Sequence, residues 1–298
     1  MARRFWCRWC RARDRAGCDL IQPMWWLWFM SIGIWCAVTP WSSHSAESIP
    51  PIFSISPPAS STPLAPLGRS GITFASPDIR QLQADNFANP GMLWVTRGET
   101  IWRTPSGVKG QACASCHQDA QQSMQGVSAR YPRLDTRRGT ILNIEGQINR
   151  CRQEQQATTP WVYESADLLA MTAYLNYQSR GMPIAVTIDT DNRTQWERGK
   201  AIFHRRQGQM NLACVHCHEQ LVGRKLLTDT LSEGHGNAYP IYRLEWQTVG
   251  SLQRRLRSCF NGVRAAIPDY GAEELLALEL YLAWRSSGLT VEAPGVRR

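Results

Sequence analysis

The chain of 298 residues has room for one large domain or for two of about 100–150 residues each. Lys and Arg outnumber Asp and Glu by 33 to 24, a balance of +9 that drops to about +5 once the six Arg and two acids of residues 1–46 are set aside. A mild positive excess suits anionic substrates or an acidic partner. No basic stripe interleaved with aromatics occurs, which argues against nucleic acid.

Residues 1–46 read as an export signal, with an Arg-rich start, an apolar run over 24–38 and small residues before a cut near Ala46. The run is about 15 residues, short of the roughly 20 that span a bilayer. An uncleaved anchor is the alternative; otherwise no membrane span is expected after signal removal, and the mature chain is expected in the periplasm. FWCRWC in this segment holds a Cys-x-x-Cys that is assigned no chemistry. Residues 47–77 are rich in Pro and Ser and read as an extended leader.

From residue 78 onward the same unit occurs twice. RGETIW, ACASCH, INRCR and LLAMTAYLNYQSRG follow one another in the first copy; RGKAIF, ACVHCH, LRSCF and LLALELYLAWRSSG follow in the second. The expected organisation is a first domain over 78–185 and a second over 186–298. Short helices are predicted at 95–102 and 197–204, and longer ones at 168–177 and 275–284, where Leu, Met and Tyr recur at helical spacing. Gly181 and Gly288 mark the stops of the longer pair. The stretch 232–240, with Gly and Pro, reads as a loop.

CASCH and CVHCH are Cys-x-x-Cys-His sequences. Two thiols one helical turn apart can form thioethers with one porphyrin, and the adjacent histidine then lies under its iron. Cys113, Cys116 and His117 are therefore expected to hold one c-type haem, and Cys214, Cys217 and His218 a second. The fold class this implies is mainly α, two tandem cytochrome c-like domains, each built around one covalently attached haem. A zinc or redox pair is the competing reading of each motif, but zinc needs further ligands at suitable spacing. His216 lies inside its motif and is expected to turn away from the iron. His204 and His235 could be distal ligands only in the second half.

Without the signal six cysteines remain, and the four thioether positions leave Cys151 and Cys259, one in each half. That placement suggests a thiolate as the distal ligand of each iron, so the metal ligands are read as His117, Cys151, His218 and Cys259. Arg150 and Arg152 flank the first thiol, and Arg254, Arg255 and Arg257 precede the second; their charge favours the thiolate. Two readings compete. Cys151 and Cys259 could form a disulfide, or Met124, Met171, Met182 or Met210 could supply a distal sulfur, although Met171 looks more like core.

FANPGMLWVTRGETIW, GQACASCH, GQINRC, LACVHCH and RRLRSCFNG, in that order, resemble the SoxA family, the dihaem cytochrome c subunits of the bacterial thiosulfate-oxidising Sox system. The resemblance covers roughly residues 78–290. It implies that the haem on Cys214, Cys217 and His218 is the active-site haem and that Cys259 is its distal ligand, carried as a persulfide. It also implies that Arg255 holds thiosulfate, so Cys259 and Arg255 are the expected catalytic residues. The implied partners are a SoxX-like monohaem cytochrome c and the SoxYZ carrier protein. The implied activity is that of an L-cysteine S-thiosulfotransferase, which joins thiosulfate oxidatively to a carrier cysteine and passes two electrons on. The alternatives are a dihaem thiosulfate dehydrogenase that releases tetrathionate and a plain dihaem electron-transfer cytochrome.

Overall fold

The computed structural model describes residues 68–298; the expected signal and most of the leader lie outside them. Residues 68–77, read from sequence as the end of the leader, include a short 3-10 turn at Gly71–Phe74. The first half then runs α1 (Pro77–Ala84), α2 (Met92–Arg103), α3 (Cys113–His117), α4 (Ala120–Ser123), a hairpin of β1 (Arg133–Asp135) and β2 (Thr140–Leu142), α5 (Ile144–Cys151) and α6 (Ala166–Tyr177). The second half runs α7 (Arg193–His204), a π-helical turn at His216–Gln220, a hairpin of β3 (Lys225–Leu226) and β4 (Asp229–Thr230), then β5 (Ile241–Arg243), β6 (Thr248–Gly250), α8 (Leu252–Gly262), α9 (Glu273–Arg285) and β7 (Gly295–Arg297). The architecture is the mainly helical, tandem one that the repeat implies.

Each half is organised by one tight helix crossing. Gly98 of α2 lies on the backbone of α6, where a Cβ would overlap the Ala170 carbonyl oxygen and crowd Tyr174. Gly199 of α7 stands in the same relation to Ala277 and Tyr281 of α9. Glycine inside a helix costs about 1 kcal/mol relative to alanine, so its place in both RGE and RGK reflects the approach it permits. Around these crossings Trp102 packs on Tyr174 and Phe203 on Tyr281. Val95, Leu168 and Met171 complete the first core; Trp196, Leu275 and Leu278 belong to the second. Met171 is 1% exposed, which makes it a core residue.

Side-chain caps start the helices that carry the two spare cysteines. Asn143 Oδ1 accepts the Gly146 N–H at the head of α5, and Ser251 Oγ accepts the Arg254 N–H at the head of α8. Such caps are worth about 1 kcal/mol each.

Chain ends and seam residues tie the halves together. β5 pairs antiparallel with β6 and parallel with β7. Gln83 Oε1, on α1, accepts the Val296 N–H, and the Asn89 amide donates to Pro294 O. The β1–β2 hairpin leans on α9: Ile141 joins the second core and Asn143 donates to Glu279 Oε1 at 3.5 Å. A cavity of about 100 Å³ in this seam is lined by residues that include Tyr131, Glu145, Asn237 and Glu279. Among the described residues no helix is long and apolar enough to cross a membrane.

Candidate haem sites

In the first half α3 presents CASCH, with Cys113 half-buried and Cys116 exposed. Burial, with the nearby charge of Cys151 adding to it, pushes the Cys113 thiol up to about 11. The C-terminal end of α5 thus brings the spare Cys151 to the attachment motif of its own half. Gln147 Nε2 donates to Cys151 Sγ at 3.1 Å. The arginines that flank Cys151 in sequence are engaged elsewhere. Arg150 pairs with the buried Asp135, and the Arg152 guanidinium lies 3.6 Å above the Trp161 ring. The His117 ring rests beside the Trp102 indole, whose N–H donates to Gln118 O at 2.9 Å.

The second half repeats the arrangement with a more buried histidine. His216 folds back so that its Nδ1 lies 2.9 Å from the Ala213 nitrogen, which turns it away from the His218 side of the motif. His218 Nδ1 lies 2.8 Å from the Ser232 carbonyl oxygen. A carbonyl can only accept, so Nδ1 carries the proton and Nε2 keeps its lone pair for a metal. Burial also lowers the tendency of His218 to protonate, with Arg255 and Arg285 acting in the same direction against the Ser232 bond. Iron needs the neutral imidazole.

Cys259 lies near the end of α8, beside the second motif. Burial pushes Cys214 up to about 11, with the Cys259 charge as the next cause, and the same two causes raise Cys217. Each spare thiol therefore neighbours its own Cys-x-x-Cys-His, and the six cysteines among the described residues are free thiols.

Helical geometry sorts the three arginines ahead of Cys259. Arg254 lies 4.2 Å over the Trp246 ring, and Arg257 lies 4.3 Å over Tyr270 and donates to Pro268 O. Arg255 is one turn before Cys259 on the same face. Burial works against its charge, but Cys259 and then Tyr239 hold the guanidinium more firmly protonated than usual. Two further histidines have ring nitrogens engaged by protein groups. His204 Nδ1 lies 2.9 Å from Lys200 O on the exposed side of α7, and His235 is enclosed between Ser286 and Glu233.

This donor set fits a c-type haem in each half: two thiols one turn apart, a histidine, and a third thiol arriving from the capped helix behind. Sequence reading marked 232–240 as a loop but missed the part that Tyr239 and residues 232–234 play in the site. Tyr239 is raised by burial, with Arg255 opposing and the Cys259 charge adding, which places its phenol in the same charged pocket. Gly234 (φ +74°) presses on the His218 imidazole, where a Cβ would lie 2.8 Å from Cγ. The glycine in that loop was the one available signal.

The family described as SoxA/TsdA, cytochrome c domain, matches residues 97–184 and 198–291, one segment in each half. The L-cysteine S-thiosulfotransferase subunit SoxA of Pseudaminobacter salicylatoxidans is 42% identical over 78% of this chain and 81% of its own length. This chain belongs to the SoxA family. The SoxA subunit of Rhodovulum sulfidophilum is 39% identical over 77% of this chain and 80% of its own. The crystal structure of SoxXA from P. pantotrophus has a TM-score of 0.75 at 38% identity, over 77% of this chain and 86% of that one. Family membership carries with it covalently bound c-type haem and the tandem cytochrome c fold.

Proposed function

We propose that this chain is the catalytic subunit of a periplasmic L-cysteine S-thiosulfotransferase, working beside a SoxX-like monohaem cytochrome c on thiosulfate and a SoxYZ-type carrier thiol. Cys113, Cys116 and His117 would hold one haem with Cys151 behind it. Cys214, Cys217 and His218 would hold the other, with Cys259 behind it. Bound there, the haems would supply one-electron redox chemistry suited to passing two electrons to a partner cytochrome.

The observation that carries the reading is the placement of Cys259 and Arg255 on one face of α8, beside the second attachment motif. Arg255 offers a planar fork of N–H donors suited to the sulfonate oxygens of thiosulfate. Held there, the sulfane sulfur lies within reach of Cys259 Sγ. Formation of the S–S bond between them releases two electrons and leaves Cys259 carrying –S–SO₃⁻. The carrier thiolate then attacks the sulfane sulfur, the bond to Cys259 breaks, and the Cys259 thiolate returns. The net change joins a carrier thiol to thiosulfate with loss of one proton and two electrons. Tyr239, whose phenol feels the charges of Arg255 and Cys259, would donate a hydrogen bond to the anion held there.

A second reading has one observation in its favour, since the family description pairs SoxA with TsdA. A dihaem thiosulfate dehydrogenase would join two thiosulfates and release tetrathionate. The deciding experiment gives the purified complex thiosulfate and an electron acceptor, with and without carrier. Carrier-dependent electron release and a carrier adduct seen by mass spectrometry support the transferase. Rapid tetrathionate formation without carrier would overturn it.

A further inference from the structure

The 232–235 loop touches His218 from two sides, through the Ser232 carbonyl and the Gly234 backbone. Between them stands Glu233, and Glu233 is gripped from outside the matched cytochrome segments, which begin at residue 97. The Arg69 backbone N–H donates to Glu233 Oε2 and Arg69 Nε donates to Oε1, both at 2.8 Å. Beside this pair, Asn237 Nδ2 donates to Ser70 Oγ at 3.1 Å. A Cβ at Gly68 would overlap the His235 ring, so the chain passes this point as close as a backbone can. From the other side Arg285 donates to Glu233 O at 3.0 Å and to Glu219 Oε1, next to His218, at 3.1 Å. His235 Nε2 lies 3.3 Å from Glu233 Oε2 while its Nδ1 faces Ser286 Oγ. Among the described residues the first half places no comparable clamp on His117, whose ring lies beside Trp102.

We infer that residues 68–70 are a strap that positions His218, and that by fixing the Ser232 carbonyl on Nδ1–H they hold the second haem at a lower reduction potential than it would otherwise have. The proposal rests on His218 being the proximal ligand of that haem. A short, well-directed bond from Nδ1–H to a carbonyl makes the imidazole a stronger donor, which favours ferric iron. A loop free to drift weakens the bond and raises the potential. Arg69, Glu233 and Arg285 are positioning residues in this scheme, acting through Ser232 and Gly234.

The test is an EPR-monitored redox titration of the haem-loaded complex with its partner cytochrome, comparing wild type with Arg69→Ala and Glu233→Gln. The low-spin signal of the second haem is identified as the one altered in a Cys259→Met variant. Both strap variants are expected to raise the midpoint of that signal and leave the first haem unmoved, with Arg69→Lys restoring part of the shift. Arg69 is mostly exposed, so Arg69→Ala should fold and load as wild type does. Midpoints that stay put, or move equally at both haems, overturn the strap. Proteolysis followed by mass spectrometry separates the two levels: if the peptide spanning residues 214–218 carries no haem, the ligand assignment fails and the strap fails with it. If haem is present there and the midpoint does not move, the strap alone fails.

Discussion

Replacing Glu279 by glutamine should flatten the dependence of folding stability on pH. Glu279 is 5% exposed on α9, across the seam from Glu145 of α5, and Asn143 Nδ2 reaches its Oε1 only at 3.5 Å. Burial, and then the Glu145 charge, raise Glu279 from the ordinary 4.5 to about 8. Glu145 is raised to about 7 by its own burial, with the Glu164 charge adding to it. Tyr163 also faces this group, through Asn143 and the charges of both acids, while Arg254 and Arg257 act on Glu164. Below about pH 4.5 both acids are protonated whether the chain is folded or not, so they cost nothing. As pH rises, the unfolded chain releases its protons first and the folded chain keeps them until about pH 7–8. Stability is therefore lost across that window. A displacement from 4.5 to about 8 at one site is worth on the order of 5 kcal/mol, and sharing one proton with Glu145 brings the expected loss to about 2–4 kcal/mol. Urea unfolding of the haem-loaded protein from pH 5 to pH 8.5 measures it. The variant should gain on the wild type progressively over that range. Parallel profiles would refute a buried, proton-holding pair at the seam.

The other expectations concern the helix crossings and the α8 site. Gly199→Ala should destabilise the second half by about 2 kcal/mol or more, because the new methyl meets the Ala277 carbonyl. Gly262→Ala, with open space around it in the last turn of α8, should change the thermal midpoint little; equal effects of the two would sink the close-approach argument. Cys259→Ser should abolish carrier conjugation while haem staining and mass still report two haems per chain, and retained turnover would remove the nucleophile from the proposed mechanism. Arg255→Lys keeps the charge but loses the fork, so KM for thiosulfate should rise about tenfold, equivalent to ~1.4 kcal/mol, with a smaller effect on kcat.

What could be read from the sequence follows a physical division. Helices predicted at 95–102, 168–177, 197–204 and 275–284 occur as Met92–Arg103, Ala166–Tyr177, Arg193–His204 and Glu273–Arg285, because apolar periodicity is a local record of which face is buried. The attachment motifs were legible because thioether chemistry fixes a spacing within five residues. From the residues themselves the arginines were legible as a cluster, and the family resemblance singled out Arg255 among them. Which of them faces the thiol depends on where Trp246, Tyr270 and Glu164 come to lie, and those partners are distant in sequence.

The same limit explains why the N-terminal strap and the seam acids went unread. Arg69 meets Glu233 across 164 residues and Glu279 meets Asn143 across 136. No periodicity or motif marks either end of such a pair, since one polar contact satisfies one group and repeats nowhere. In a duplicated chain, however, these unrepeated contacts are what distinguish the halves. Gly98 matches Gly199, Trp102 matches Phe203 and Cys151 matches Cys259, so the repeated residues supply two similar haem pockets. Arg255 and the clamp behind His218 occur in one half only among the described residues: four residues before Cys151 the first half has Gln147, while Tyr239 has a counterpart in Tyr131. On the proposed reading, what makes the second pocket reactive and the first a relay lies among such unmatched residues, so substitutions there should separate the two haems.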